Sequence, residues 1–309
     1  MPGCKLCPRR CGIDRDTGGT GYCGETSALR VARIALHPWE EPSISGKTGS
    51  GTVFFSGCNL GCVFCQNYRV SHEGLGRDIS ADQLAKEIFR LRDEGAANIN
   101  LVTPTHFTEQ IARVLEMVHP TLGIPVVWNS GGYELPETLE RLAGLVDIFL
   151  PDFKYASPAL ARNYSDAPDY PEVAEAALRT MYRLVGNVKF GSDGMMKKGV
   201  IVRHLVLPGG RRDSHEVLHR IAETVPVSGI RLSLMSQYTP EFAMQCPYPE
   251  LHRRVTTFEY ESVVREAERL GFDGYFQRRS SADVCYTPPF EGTVRASRET
   301  GNRSPVQTD

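Results

Sequence analysis

Three cysteines, Cys58, Cys62 and Cys65, stand at C-x3-C-x2-C spacing directly after the strand-like run Thr52-Val53-Phe54-Phe55. A cube-shaped [4Fe–4S] cluster has four irons, and each normally takes one Cys thiolate. A run that supplies only three leaves one iron without a protein ligand, open to the amino and carboxylate groups of a small molecule. Zinc is the alternative reading, but a tetrahedral zinc site wants a fourth ligand close by and usually shows its ligands in pairs. Spacing and context together favour the cluster.

A second cysteine group lies ahead of the first. Cys4, Cys7 and Cys11 sit in Cys4-x2-Cys7-Pro8-Arg9-Arg10-Cys11, and Cys23 follows Gly18-Gly19-Thr20-Gly21. Four cysteines in a segment without its own apolar core point to a metal staple, and Pro and Gly supply the tight turns that wrap backbone round a metal. Tetrahedral zinc and an auxiliary Fe–S cluster both suit the residues, and the spacing leaves the two open. Cys246 and Cys285 are lone thiols, best read as buried packing. Ser45-Gly46-Lys47-Thr48 looks like part of a phosphate loop, but position 41 is Glu where that loop needs Gly, so it is read as a turn.

These residues need a frame, and from residue 51 strand and helix patterns alternate. Apolar strand runs follow at Asn98–Thr103, Pro125–Ser130, Val146–Pro151, Val200–Val206 and Gly229–Met235. Between them Ser80 and Thr108 are placed to cap helices, Pro136 and Pro171 to open them, and later helices carry Val217, Leu218 and Ile221, then Val263, Val264 and Leu270. Six βα repeats with short connections imply a parallel sheet with right-handed crossovers. Too few strands for a closed eight-fold barrel gives an α/β fold built as an open, partial (β/α)6 TIM-like barrel, with a small N-terminal cysteine-rich metal-binding extension. The expected division is 1–50 for the extension, 51–286 for the barrel and 287–309 for a polar tail read as disordered.

The cysteine motif, with Phe64 before its last cysteine, resembles the radical S-adenosylmethionine (SAM) superfamily. Within it the chain is similar, over roughly residues 50–280, to pyruvate formate-lyase-activating enzymes and their relatives with an N-terminal cysteine cluster. Asp152-Phe153-Lys154 and the run Arg203–Gly209 carry the likeness to that branch. The resemblance implies a cluster on Cys58, Cys62 and Cys65 and SAM on its open iron. It also implies reductive cleavage to a 5′-deoxyadenosyl radical and hydrogen abstraction from a substrate, a backbone glycine of a glycyl radical enzyme in the activating branch. Reduced flavodoxin or ferredoxin is the implied electron donor. Other radical SAM chemistry on a peptide or small molecule is a competing reading, and a non-catalytic, metal-stapled interaction protein is a third.

Polar residues at the C-terminal ends of barrel strands are the default site candidates. After the second strand, Thr103, Thr105 or His106 would serve the SAM amino group, since the Gly-Gly-Glu run common in the superfamily is missing there. Asn129 and Ser130 end the third strand beside Gly131-Gly132 and are expected to bond SAM ribose or amino acid atoms. Asp152 and Lys154 end the fourth, where the resemblance has them line the SAM and substrate pocket. Arg203 and His204 interrupt the strongly apolar fifth strand and need buried partners. A guanidinium fork suits the SAM carboxylate. Specificity is expected to diverge at the Met235-Ser236-Gln237-Tyr238 run after the sixth.

A formal net charge of −2 with interspersed charges argues against a general nucleic-acid binder. No apolar signal core and no run of about eighteen apolar residues appears, so neither export nor a membrane span is expected and the chain reads as cytoplasmic. Cysteines in a reducing compartment are more readily ligands or thiols than disulfides.

Overall fold

The computed structural model describes residues 3–277; Cys285 and the 287–309 tail lie outside the described residues. Among the described residues ten strands form one mixed sheet: β1 Arg30–His37, β2 Ser50–Phe55, β3 Arg77–Asp78, β4 Ile99–Val102, β5 Val126–Ser130, β6 Ile148–Pro151, β7 Lys189–Phe190, β8 Met196–Leu205, β9 Arg231–Met235 and β10 Gly274–Phe276. Their order is β10-β9-β8-β6-β5-β4-β2-β1-β3, with β7 paired antiparallel to β8. Among the described residues the sheet does not close. Six parallel strands were expected and seven are present, because Gly274–Phe276 pairs in parallel with β9. That run is three residues long and half-buried, too short for a pattern of its own. β1 and β3 add antiparallel strands beyond β2.

Nine helices accompany the strands among the described residues: α1 Pro42–Ser45, α2 Tyr68–Ser71, α3 Ala81–Asp93, α4 Thr108–Leu122, α5 Pro136–Leu139, α6 Pro158–Ser165, α7 Tyr170–Val185, α8 Arg211–Thr224 and α9 Thr257–Arg269. Ser80 closes a capping box with Gln83 at the start of α3, as the sequence suggests, and Thr256 does the same with Glu259 at α9. Thr108 does not cap α4. It is the helix's first residue, and its hydroxyl donates back to the Thr105 carbonyl. The short helix α6, unmarked by any apolar period, is an addition to the expected order.

Successive side chains of a strand face opposite sides, so each strand serves two environments. On one side Val53, Leu101, Trp128, Phe149, Val202 and Leu232 pack with Leu84, Leu115, Leu218 and Val263 of the helices. On the other, the inner face, Val127, Ile148, Leu150 and Ile201 enclose Ile44 of α1, which is fully buried. The segment between β1 and β2 thus turns back to plug the inner face. Asn98 fixes it by donating to the Ile44 carbonyl at 2.7 Å, and the Tyr275 hydroxyl of β10 reaches Ser43 Oγ. No helix among the described residues is long and apolar enough to cross a membrane.

Candidate active site

The cysteine loop begins where β2 stops. Gly57 has φ +77° and lies so close to the Cys23 carbonyl that an added Cβ would sit 2.4 Å from it, so glycine is needed on both counts. Beyond it the loop is tied to the end of α6 by Gly61 N–H to Ser165 O (3.2 Å) and Val63 N–H to Tyr164 O (2.9 Å). All three motif cysteines are free thiols. Leu60 N–H donates to Cys58 Sγ at 3.4 Å. Ser165 Oγ lies 2.9 Å from Cys62 Sγ and 2.7 Å from the buried Tyr155 hydroxyl, and Ser71 Oγ lies 3.2 Å from Cys65 Sγ. Each sulfur therefore has a donor group of this chain beside it. Phe64, ahead of the last cysteine, packs edge-on against Tyr238, which places the Met235–Tyr238 run against the loop.

Burial pushes the Cys65 thiol up to about 11 and Cys58 higher still, with repulsion from Cys62 adding to both and the Lys154 ammonium working against it. Lys154 belongs to an ionic layer on the inner face. Its Nζ donates to Asp152 Oδ2 at 2.6 Å, and Arg203 Nε donates to Asp152 Oδ1 at 3.0 Å. Arg203 also donates to Asn129 Oδ1 (2.6 Å) and faces Glu40 Oε2 at 3.7 Å. Burial alone would lower Lys154 and Arg203 and raise Asp152, but their mutual charges prevail: both cations are held up and the carboxyl is held down. Glu40 is the exception. Burial pushes it up to about 7 despite Arg203. A cavity of about 220 Å³ opens over this layer, lined by Glu40, Asn129 and Arg203 and by Gln66, Asn67 and Gln237 from the loops.

The candidates named from sequence divide by strand parity. Asn129, Asp152, Lys154 and Arg203 come together on the inner face. Ser130 and His204, each one residue on, point the other way: Ser130 Oγ donates to Glu134 Oε2, while His204 bridges the Phe153 carbonyl (2.7 Å) and Ser214 Oγ (2.9 Å) of α8. Burial lowers His204 to about 4, so it stays neutral there. Thr105 donates to Glu134 Oε1, and His106 Nε2 meets the Ser56 carbonyl at 2.6 Å, so both brace the loops rather than line the cavity. Glu40, Glu134, Tyr155 and Ser165 complete the site without any motif. The nearest signal for Glu40 is indirect, an arginine at 203 that has to find carboxylates.

The N-terminal cysteine-rich segment packs on the Cys58–Cys65 loop. Arg9 donates to the Asn59 carbonyl at 2.9 Å and to the carbonyls of Ser165 and Asp166, with its guanidinium stacked 3.6 Å from the Tyr22 ring centroid. The Tyr22 hydroxyl bonds Asp166, and an added Cβ on Gly61 would lie 2.5 Å from it. The buried Arg15 anchors the segment to the Glu25, Thr26 and His106 carbonyls. Burial pushes Cys7 up to about 11, with Cys23 and Cys4 adding repulsion, and Cys23 in turn feels Cys4 and Cys11, so the four thiols are neighbours. Among the described residues no three His, Cys, Asp or Glu side chains converge on a point that would hold a single ion. A cubane takes its thiolates at separate corners, and the free Cys58, Cys62 and Cys65 suit it by number, type and nearby donors.

Residues 52–197, from β2 into β8, match the family model of the radical SAM superfamily. An uncharacterized protein of Methanocaldococcus jannaschii is 29% identical over 279 residues, covering 87% of this chain and 75% of its own. A cysteine-to-alanine variant of spore photoproduct lyase with dinucleoside spore photoproduct aligns with TM-score 0.51 at 12% identity, over 84% of this chain and 87% of that one, and shares the fold. Streptococcus suis SuiB bound to precursor peptide SuiA aligns with TM-score 0.47 at 14% identity over 79% of this chain, which spans about half (50%) of SuiB.

Proposed function

We propose that the protein is a radical SAM enzyme whose Cys58, Cys62 and Cys65 hold a [4Fe–4S] cluster with SAM on its open iron. The observation that carries this reading is three free thiols, each beside a hydrogen-bond donor, next to the Asp152–Lys154–Arg203 layer in a stretch that matches the superfamily. When bound, cluster and SAM supply a 5′-deoxyadenosyl radical that abstracts hydrogen from the substrate. The chain positions them and keeps water away. Asn129 and Lys154 offer donors to the SAM amino acid and ribose, and Arg203 would share its guanidinium between Asp152 and the SAM carboxylate. The inner face would act as a partial barrel that admits the substrate at its unclosed edge.

For the substrate we propose a glycine in a peptide segment of a partner, as in glycyl radical enzyme activation, on the likeness of Asp152–Lys154 and Arg203–Gly209 to that branch. The four N-terminal cysteines are proposed as a second metal site, holding either zinc or an auxiliary Fe–S cluster. The electron donor is proposed as reduced flavodoxin or ferredoxin, and the compartment as a reducing cytoplasm that leaves the eight described cysteines unpaired.

Anaerobic reconstitution tests the core of this. The full chain should take up iron and release 5′-deoxyadenosine with dithionite and SAM, and Cys62→Ala should abolish that release. A chain that holds iron and leaves SAM intact sinks the proposal. Incubation with candidate glycyl radical enzymes, read by electron paramagnetic resonance, separates activation from other radical chemistry.

A further inference from the structure

We propose that electrons reach the cluster loop through the stacked rings of Tyr68 and His72, which form the landing point for a one-electron carrier protein with a planar redox group at its surface. The inference rests on the radical SAM reading and adds to it where the reductant docks.

Much of the loop is packed against neighbouring segments. The Cys23 carbonyl and the Glu25 side chain crowd Gly57, and the Tyr22 hydroxyl crowds Gly61. Cys62 is 8% exposed and backed by Ser165 and the fully buried Tyr155. Beneath lie Lys154 and Asp152. On the side of Cys65 the chain runs from half-buried Gln66 and Asn67, which also line the cavity, to Tyr68, which is 47% exposed. A continuous line of contacts leads out along it. Ser71 Oγ lies 3.2 Å from Cys65 Sγ and 2.7 Å from His72 Nδ1, and the His72 ring lies on Tyr68 at 4.7 Å between centroids and 11° between planes. Electron tunnelling weakens steeply with distance, so a donor gains most by landing where ligand and surface are joined by the fewest gaps. A flat conjugated group packs well on an exposed aromatic face. The step balances simply: the carrier is oxidised by one electron, the cluster is reduced by one, and no bond is made.

The test compares two reductants on the reconstituted full chain. Cluster bleaching is followed anaerobically with dithionite, which needs no docking, and with photoreduced flavodoxin. Tyr68→Ala and His72→Ala should slow flavodoxin-driven reduction about tenfold, within the range interface changes give to association rates, while dithionite-driven reduction stays the same. Tyr68→Phe should restore the rate by keeping the stack, and Phe258→Ala, which removes an exposed ring on α9 (65% exposed), should change nothing. An unchanged flavodoxin rate in both alanine variants overturns the proposal, as does equal slowing with both reductants. Failure of the parent chain to assemble any cluster would instead overturn the functional reading beneath it.

Discussion

Replacing Glu40 with Gln should stabilise the metal-free protein above about pH 7 and leave it unchanged below about pH 5. The Glu40 carboxyl, whose ordinary value is 4.5, is pushed up to about 7 by burial in the ionic layer. Between those values the folded protein holds a proton that the unfolded chain has released, so stability falls as pH rises across the window and the loss is complete above it. At about 1.4 kcal/mol for each tenfold in proton affinity, the upper bound is roughly 3 kcal/mol. Gln keeps the side chain's shape and its acceptor for Asn100 Nδ2, and cannot ionise. Urea unfolding of both proteins at several pH values, under reductant, gives the difference directly. The parent should lose stability against the variant by about 2 to 3 kcal/mol across the window. Parallel curves would refute the claim that this carboxylate is held in the layer at a cost.

Ser165→Ala removes a hydroxyl beside Cys62 and should lower the midpoint potential of the bound cluster by on the order of 50 mV, since hydrogen bonds to sulfur favour the reduced form. A redox titration read by electron paramagnetic resonance decides it, and no shift would mean that the hydroxyl does not serve the thiolate. Glu134→Leu leaves Thr105, Trp128 and Ser130 without their shared acceptor and should cost about 3 kcal/mol, with a change in Trp128 emission as a second readout. Cys7→Ala combined with Cys23→Ala should reduce the metal bound per chain while the Cys58–Cys65 cluster keeps its SAM-dependent spectrum. Unchanged metal content would show that the N-terminal thiols hold none.

What could be read in the sequence was what repeats or has a fixed spacing. The parallel strands from Thr52 to Met235 are apolar runs, and the Ser80–Gln83 box is a local signal, so both survive folding intact. Ser130 and His204 show where such reading stops: next to Asn129 and Arg203, they share strand and polarity, and only the two-residue alternation sends them to the helix side. A run of polar residues at a strand end does not say which of them faces inward. Glu40 lies in a loop between two prolines, and its role follows from a fold-back that brings it to Arg203, 163 positions away. Tyr155 and Ser165 acquire meaning only once α6 is laid against the cysteine loop. The seventh parallel strand escaped because three half-buried residues take their state from a neighbour already in place.

The contact between Ser43 and Tyr275 spans 232 positions. During synthesis, the segment carrying Ile44 leaves the ribosome long before the last strand that helps hold it, so the apolar pocket around Ile44 has to wait unsealed. Contacts of such separation slow folding, because the intervening chain must be ordered before they form. A nascent chain stopped short of β10 would then carry an unlatched plug and bare strand edges, prone to capture by chaperones or to aggregation.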